Sequence, residues 1–61
     1  MIEIVWIPSE GCWATVVQRY AHHCYVSFEK DGFSYLEIFE YDDLIEAKDM
    51  GLDYEIQEES D

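Results

Sequence analysis

Apolar and polar residues alternate along the first two thirds of the chain, and turn residues interrupt the alternation at short intervals. Ile2 to Ile7 is β-branched and aromatic, and Pro8-Ser9-Glu10-Gly11 follows it as a turn. Cys12 to Arg19 predicts a second strand, with Cys12, Ala14 and Val16 on one face and Trp13, Thr15, Val17 and Arg19 on the other, because successive side chains of a strand point to opposite sides. The polar stretch Tyr20-Ala21-His22-His23 leads into a third strand, Cys24 to Glu29. Next, Lys30-Asp31-Gly32 separates two alternating runs, and Asp-Gly supplies the positive φ that a tight hairpin turn needs. The fourth strand is Phe33 to Glu40, with Ser34, Leu36, Ile38 and Glu40 opposing Phe33, Tyr35, Glu37 and Phe39. Both of its faces are partly apolar, so the pattern leaves the buried face open, as a strongly curved sheet would.

The period changes after Tyr41. In one reading Asp42 or Asp43 caps a short helix through Met50, with Glu46 three residues after Asp43 and Gly51 as the stop. In the other, a single helical turn precedes a brief closing strand at Leu44-Ile45. Leu52 to Gln57 alternates weakly enough to add an edge strand, and Glu58-Glu59-Ser60-Asp61 is expected to fray.

Closely spaced strands, tight turns and a closing apolar pair predict a mainly β fold, a small antiparallel barrel. The segments Gly11-x-Trp13-Ala14-x-Val16-Val17, Tyr25-Val26-x-Phe28-x-Lys30-Asp31-Gly32, Glu37-x-Phe39 and Asp43-Leu44-Ile45 resemble the SH3-like barrel of Tudor and related domains. The chain is also similar in style to small acidic proteins of bacteriophages of Gram-positive hosts. The resemblance covers roughly Ile4 to Ile45, and with the composition it gives an expected barrel over residues 1–46 and a partly ordered acidic extension over residues 47–61. It also implies an aromatic cage for methylated lysine or arginine, to which Trp13, Tyr20, Tyr35, Phe39 and Tyr41 would contribute through cation–π attraction. The competing reading is that most of these rings simply build the core of a very small domain.

Charge sharpens the functional reading. Eleven of the fifteen carboxylates fall between Glu37 and Asp61, against one basic residue there, Lys48; with Arg19 and Lys30 the formal net charge is −12 over 61 residues. Such a surface repels nucleic acid and anionic membranes and attracts basic protein surfaces, with steering that salt weakens. Sixty-one residues make one domain at most. The aromatic content, with Trp6, Trp13, three phenylalanines and five tyrosines, speaks against disorder. Two cysteines make no disulfide framework, and neither a secretory leader nor a membrane-length apolar run is visible, so the expected setting is the cytoplasm, that of a host cell if the chain is phage-encoded.

Candidate chemistry is thin. His22-His23-Cys24 with Cys12 contains metal-ligand types, but the spacing matches no familiar zinc pattern. Glu40, Asp42, Asp43 and Glu46 lack the glycine-containing loop of a calcium hand. The expectation is therefore a non-enzyme with no metal and no cofactor. Duplex DNA carries about one charge per 1.7 Å of axis, and its binders present arrays of Lys and Arg. Fixed carboxylates can occupy such an array in place of nucleic acid. Expected contacts are Glu37, Glu40, Asp42, Asp43, Glu46 and Asp49, with Tyr35, Tyr41 and Trp13 as aromatic anchors or groove. The expected partner is the basic surface of a nucleic-acid-binding protein, such as a CRISPR nuclease or a restriction, repair or transcription protein, with no direct binding to nucleic acid or membrane. Two alternatives stand beside this inhibitor: a peptide-binding module using an aromatic groove, and homodimerisation through an exposed edge strand, which the chain's own charge opposes.

Overall fold

A computed structural model describes residues 2–51. Four strands follow one another as a meander. β1 (Ile4–Ile7) turns into β2 (Cys12–Arg19) through a loop in which the Ile7 carbonyl accepts hydrogen bonds from the N–H groups of Glu10 and Gly11, at 3.1 and 2.7 Å. Gly11 closes that loop at φ 68°, a conformation that side chains with a Cβ avoid. β3 (His23–Lys30) pairs antiparallel with β2, and β4 (Phe33–Glu40) pairs with β3 over its full length. Asp31 and Gly32 form the two-residue loop between them, both at positive φ (55° and 84°), which is the primed turn that Asp-Gly predicts.

After β4 the chain makes a 3-10 turn at Tyr41–Asp43, a two-residue strand β5 (Ile45–Glu46) and a second 3-10 turn at Ala47–Met50. The capped helix through Met50 does not form. Leu44 is extended at φ −130° and ψ 158°, neither turn has a side-chain cap, and Ile45 and Glu46 instead pair antiparallel with Trp6 and Val5 of β1. Gly51 does stop the second turn, at φ 82°. The expected Leu44-Ile45 closing strand is thus present, moved along by one residue.

The strand order is β4-β3-β2-β1-β5 in one antiparallel sheet. The sheet is not closed into a barrel: β4 and β5 are its two edges, and they do not pair with each other. Among the described residues no helix is long and apolar enough to cross a membrane. The expected edge strand at Leu52–Gln57 and the fraying end lie outside the described residues.

The inner face carries Val5, Ile7, Ala14, Cys24, Val26 and Phe28, all buried, with Cys12, Val16, Phe39, Tyr41 and Leu44 packed against them. Ala47 of the second turn is buried as well. One expected face assignment is corrected here. The β2–β3 register shifts between Val16 and Gln18, a bulge that leaves Val17 unpaired and places Arg19 opposite Cys24. An extra residue reverses the alternation beyond it. Arg19 therefore shares the inner face with Ala14 and Val16, not the outer face with Trp13 and Thr15.

Burying a side chain the size of Val5 or Ile7 stabilises by roughly 1.5–3 kcal/mol, a large share of what so small a fold has to spare. Ile7→Val is expected to cost about 1 kcal/mol and Ile7→Ala about 2–5 kcal/mol, read from urea denaturation midpoints, with Ile7→Ala largely unfolded in buffer. The thiols should differ too. Cys24 is buried, and burial pushes its pKa up, whereas Cys12 is only half-buried. An alkylating reagent is expected to modify Cys12 first and Cys24 only as the protein unfolds.

Candidate functional site: an acidic sheet edge

Ten of the fifteen carboxylates belong to residues 2–51. Three of them have cationic partners. Arg19 Nε donates to Glu3 Oε1 at 2.6 Å, and the two terminal nitrogens of its guanidinium donate to the two oxygens of Glu46 at 3.1 and 3.0 Å. This two-point geometry is the strong form of an ion pair. It raises the Arg19 pKa, with Glu46 as the largest cause and the contacts to Glu3 and Tyr41 adding to it. The guanidinium also lies 5.5 Å from the centre of the Tyr41 ring, whose hydroxyl donates to the Tyr20 carbonyl at 2.8 Å. Lys30 donates to Glu10 at 2.8 Å, a bond that raises the lysine pKa.

Two expected contact residues are thereby engaged inside the fold: Glu46 by Arg19, and Tyr41 by both Arg19 and Tyr20. Seven carboxylates stand without an ion pair among the described residues: Glu29, Asp31, Glu37, Glu40, Asp42, Asp43 and Asp49. All but Asp49 follow one another in chain order beside the β4 edge, with Glu37 on the inner face and Glu29 and Glu40 on the outer face. Glu29 is the penultimate residue of β3, next to Lys30, Asp31 sits in the hairpin turn, Glu37 and Glu40 lie on β4, and Asp42 and Asp43 form the helical turn beyond it. Asp49 belongs to the turn after β5, at the opposite edge of the sheet. Glu29 and Asp31 were not among the expected contacts. The Asp-Gly hairpin was the available signal, since it places both beside β4.

The aromatic residues divide by face. On the inner side Tyr35 stacks on Phe28, with ring centres 5.2 Å apart, and Phe39 lies 6.4 Å from Phe28. Trp13 meets Trp6 edge-on at 5.0 Å on the outer face. Tyr20 stacks on His23 and meets Tyr25 edge-on at the far end of the β2–β3 hairpin. Tyr35 and Trp13 are thus on opposite sides of the sheet and do not line one groove. Three shallow clefts combine rings with the acidic path. Ala21, His22, Glu40, Tyr41 and Asp42 line one of them. Pro8, Ser9, Phe39, Asp42 and Asp43 line the second, of about 380 Å³; Phe28, Tyr35, Glu10, Lys30, Asp31 and Glu37 line the third. Among the described residues no three His, Cys, Asp or Glu side chains converge as metal ligands. Cys12 and Cys24 face Ile7 and Arg19 respectively, toward opposite ends of β2.

No family model, curated protein or solved structure matches this chain. The site must be read from its own chemistry.

Replacing the central cation tests how the remaining charge is contained. Arg19→Gln is expected to lower the unfolding free energy by about 1–2 kcal/mol at low salt, the range of charge-assisted hydrogen bonds on partly exposed groups. Arg19→Lys should recover only part of that, because an ammonium cannot make the two-point contact. Denaturant titrations at low salt and in roughly 1 M salt check the cause, since screening of Glu3 against Glu46 should shrink the deficit.

Proposed function

We propose that this chain is a non-catalytic, phage-type inhibitor whose acidic edge occupies a basic channel of a host protein that handles nucleic acid. One observation carries the reading. Six carboxylates without an ion pair among the described residues follow one another along the β3–β4 hairpin and the turn after it, and backbone pairing of β3 and β4 fixes Glu29, Glu37 and Glu40. Arg19 and Lys30 hold Glu3, Glu46 and Glu10, and Lys48 stands on the second helical turn, near the other edge. Lys30, held by Glu10, is the one cation within this acidic stretch among the described residues, so most of its negative charge is left unpaired.

A stretch of this kind favours a cationic groove over nucleic acid or an anionic membrane, and it acts on association rate more than on residence time. The fold reading goes with it. A four-stranded meander, a helical turn and a short strand returning beside β1 support an SH3-like barrel left partly open. A peptide-binding module is the second reading, favoured by the Phe28–Tyr35 stack beside Glu37 and by the cleft around Phe39.

The test is capture from a bacterial lysate on the immobilised protein at low salt, with elution by a salt gradient. Proteins that bind DNA or RNA are expected to elute at moderate salt and to be displaced by duplex DNA. The paired reversals Glu37→Lys with Glu40→Lys, and Asp42→Lys with Asp43→Lys, should each abolish capture, whereas Asp49→Lys should leave it nearly unchanged. Capture that survives both reversals would reject the reading.

A further inference from the structure

β4 is the long edge of this sheet. All eight of its residues pair with β3, and among the described residues nothing pairs with its other side; the opposite edge, β5, has two residues. An edge strand presents alternate N–H and C=O groups to any extended segment that comes alongside. Most of the devices that blunt such edges are missing here: β4 has no proline, no lysine or arginine, and no irregularity in its register. Charge remains, from Glu37 on the inner face at mid-strand, opposite Val26, and from Glu40 on the outer face at the strand's end.

The two faces of β4 make different demands on a neighbour. The inner row is Phe33, Tyr35, Glu37 and Phe39; the outer row is Ser34, Leu36, Ile38 and Glu40. Leu36 and Ile38 are 60% and 52% exposed, although both are aliphatic. A second copy of this chain fits poorly, because β4 against β4 gathers Glu37, Glu40 and two formal charges of −12 at one seam. A strand with basic and aliphatic side chains in alternation fits both rows. Its cations would lie beside Glu37, between the rings of Tyr35 and Phe39, where carboxylate and π-face both attract them. Its aliphatic groups would cover Leu36 and Ile38.

We infer that β4 binds an extended segment of a partner protein by strand addition, and that the segment alternates basic with aliphatic residues. The inference rests on the acidic-edge reading and supplies its mode of contact: backbone hydrogen bonds hold the segment, and charge selects it.

The probe is a labelled synthetic peptide of alternating lysine and valine, matched to the eight residues of β4, alongside its backbone N-methylated analogue. The analogue keeps side chains and charge but has no amide donors. Fluorescence anisotropy on the full chain should show the analogue binding at least roughly ten-fold more weakly. Glu37→Lys and, separately, Leu36→Lys should each weaken the parent peptide by a similar factor. Both positions are exposed, and circular dichroism confirms that the variants fold. Amide exchange should slow along β4 on binding and stay unchanged in β5. Equal affinity for the two peptides overturns strand addition and leaves the acidic edge standing. No binding of either peptide overturns both. A dimer by sedimentation that Leu36→Lys dissociates also overturns the inference, because the edge then belongs to a second copy.

Discussion

The fold depends on what Arg19 holds together. Its guanidinium reaches Glu3 ahead of β1, Glu46 on β5 and the ring of Tyr41, whose own hydroxyl returns to Tyr20. β5 has only two residues, and a ladder that short has little stability of its own. Arg19 thus reinforces the return of the chain after β4, alongside the pairing of Ile45 and Glu46 with β1 and the packing of Tyr41, Leu44 and Ala47. It can do so because the bulge between Val16 and Gln18 turns it inward. Without that extra residue, Arg19 would face outward beside Trp13 and Thr15, and Glu46 would close on the core side with no cation to meet it.

This arrangement also sets the surface. A chain with three basic side chains and fifteen acidic ones cannot neutralise itself. Two of the cations neutralise charge inside the fold, at the β5 seam and at the loop after β1, where Lys30 meets Glu10. The hairpin between β3 and β4 carries only Lys30, which Glu10 engages, and among the described residues β4 and the turn after it hold no cation, so most of that negative charge stands unpaired. Stability and charge display are therefore segregated: apolar burial belongs mainly to β1, β2 and β3, while the potential belongs to β4 and the residues that flank it.

Much of this was legible in the sequence where local chemistry decides. Asp31-Gly32 placed the hairpin, and the alternation gave the bounds of β2 and β4 as they stand. The face of Arg19 was not legible, since a bulge leaves no mark in a run of alternating residues. Its pairing with Glu46 spans twenty-seven positions and depends on a register that only the assembled sheet fixes. For the same reason Glu46 read as a surface contact although it is half-buried against a cation. The faces of β4 stayed ambiguous because neither is buried: Phe39 alone in that strand is half-covered. The choice between one helix and a turn with a strand was decided by β1, whose open edge offered Ile45 and Glu46 backbone partners that a helix would have had to forgo.

The near absence of burial in β4 has an evolutionary corollary. Most positions that form its outward surface contribute little packing to the rest of the molecule, so substitutions there leave the scaffold largely unharmed. Sequence change in this strand is therefore cheap for the fold. The surface it presents can change while the architecture beneath it stays put.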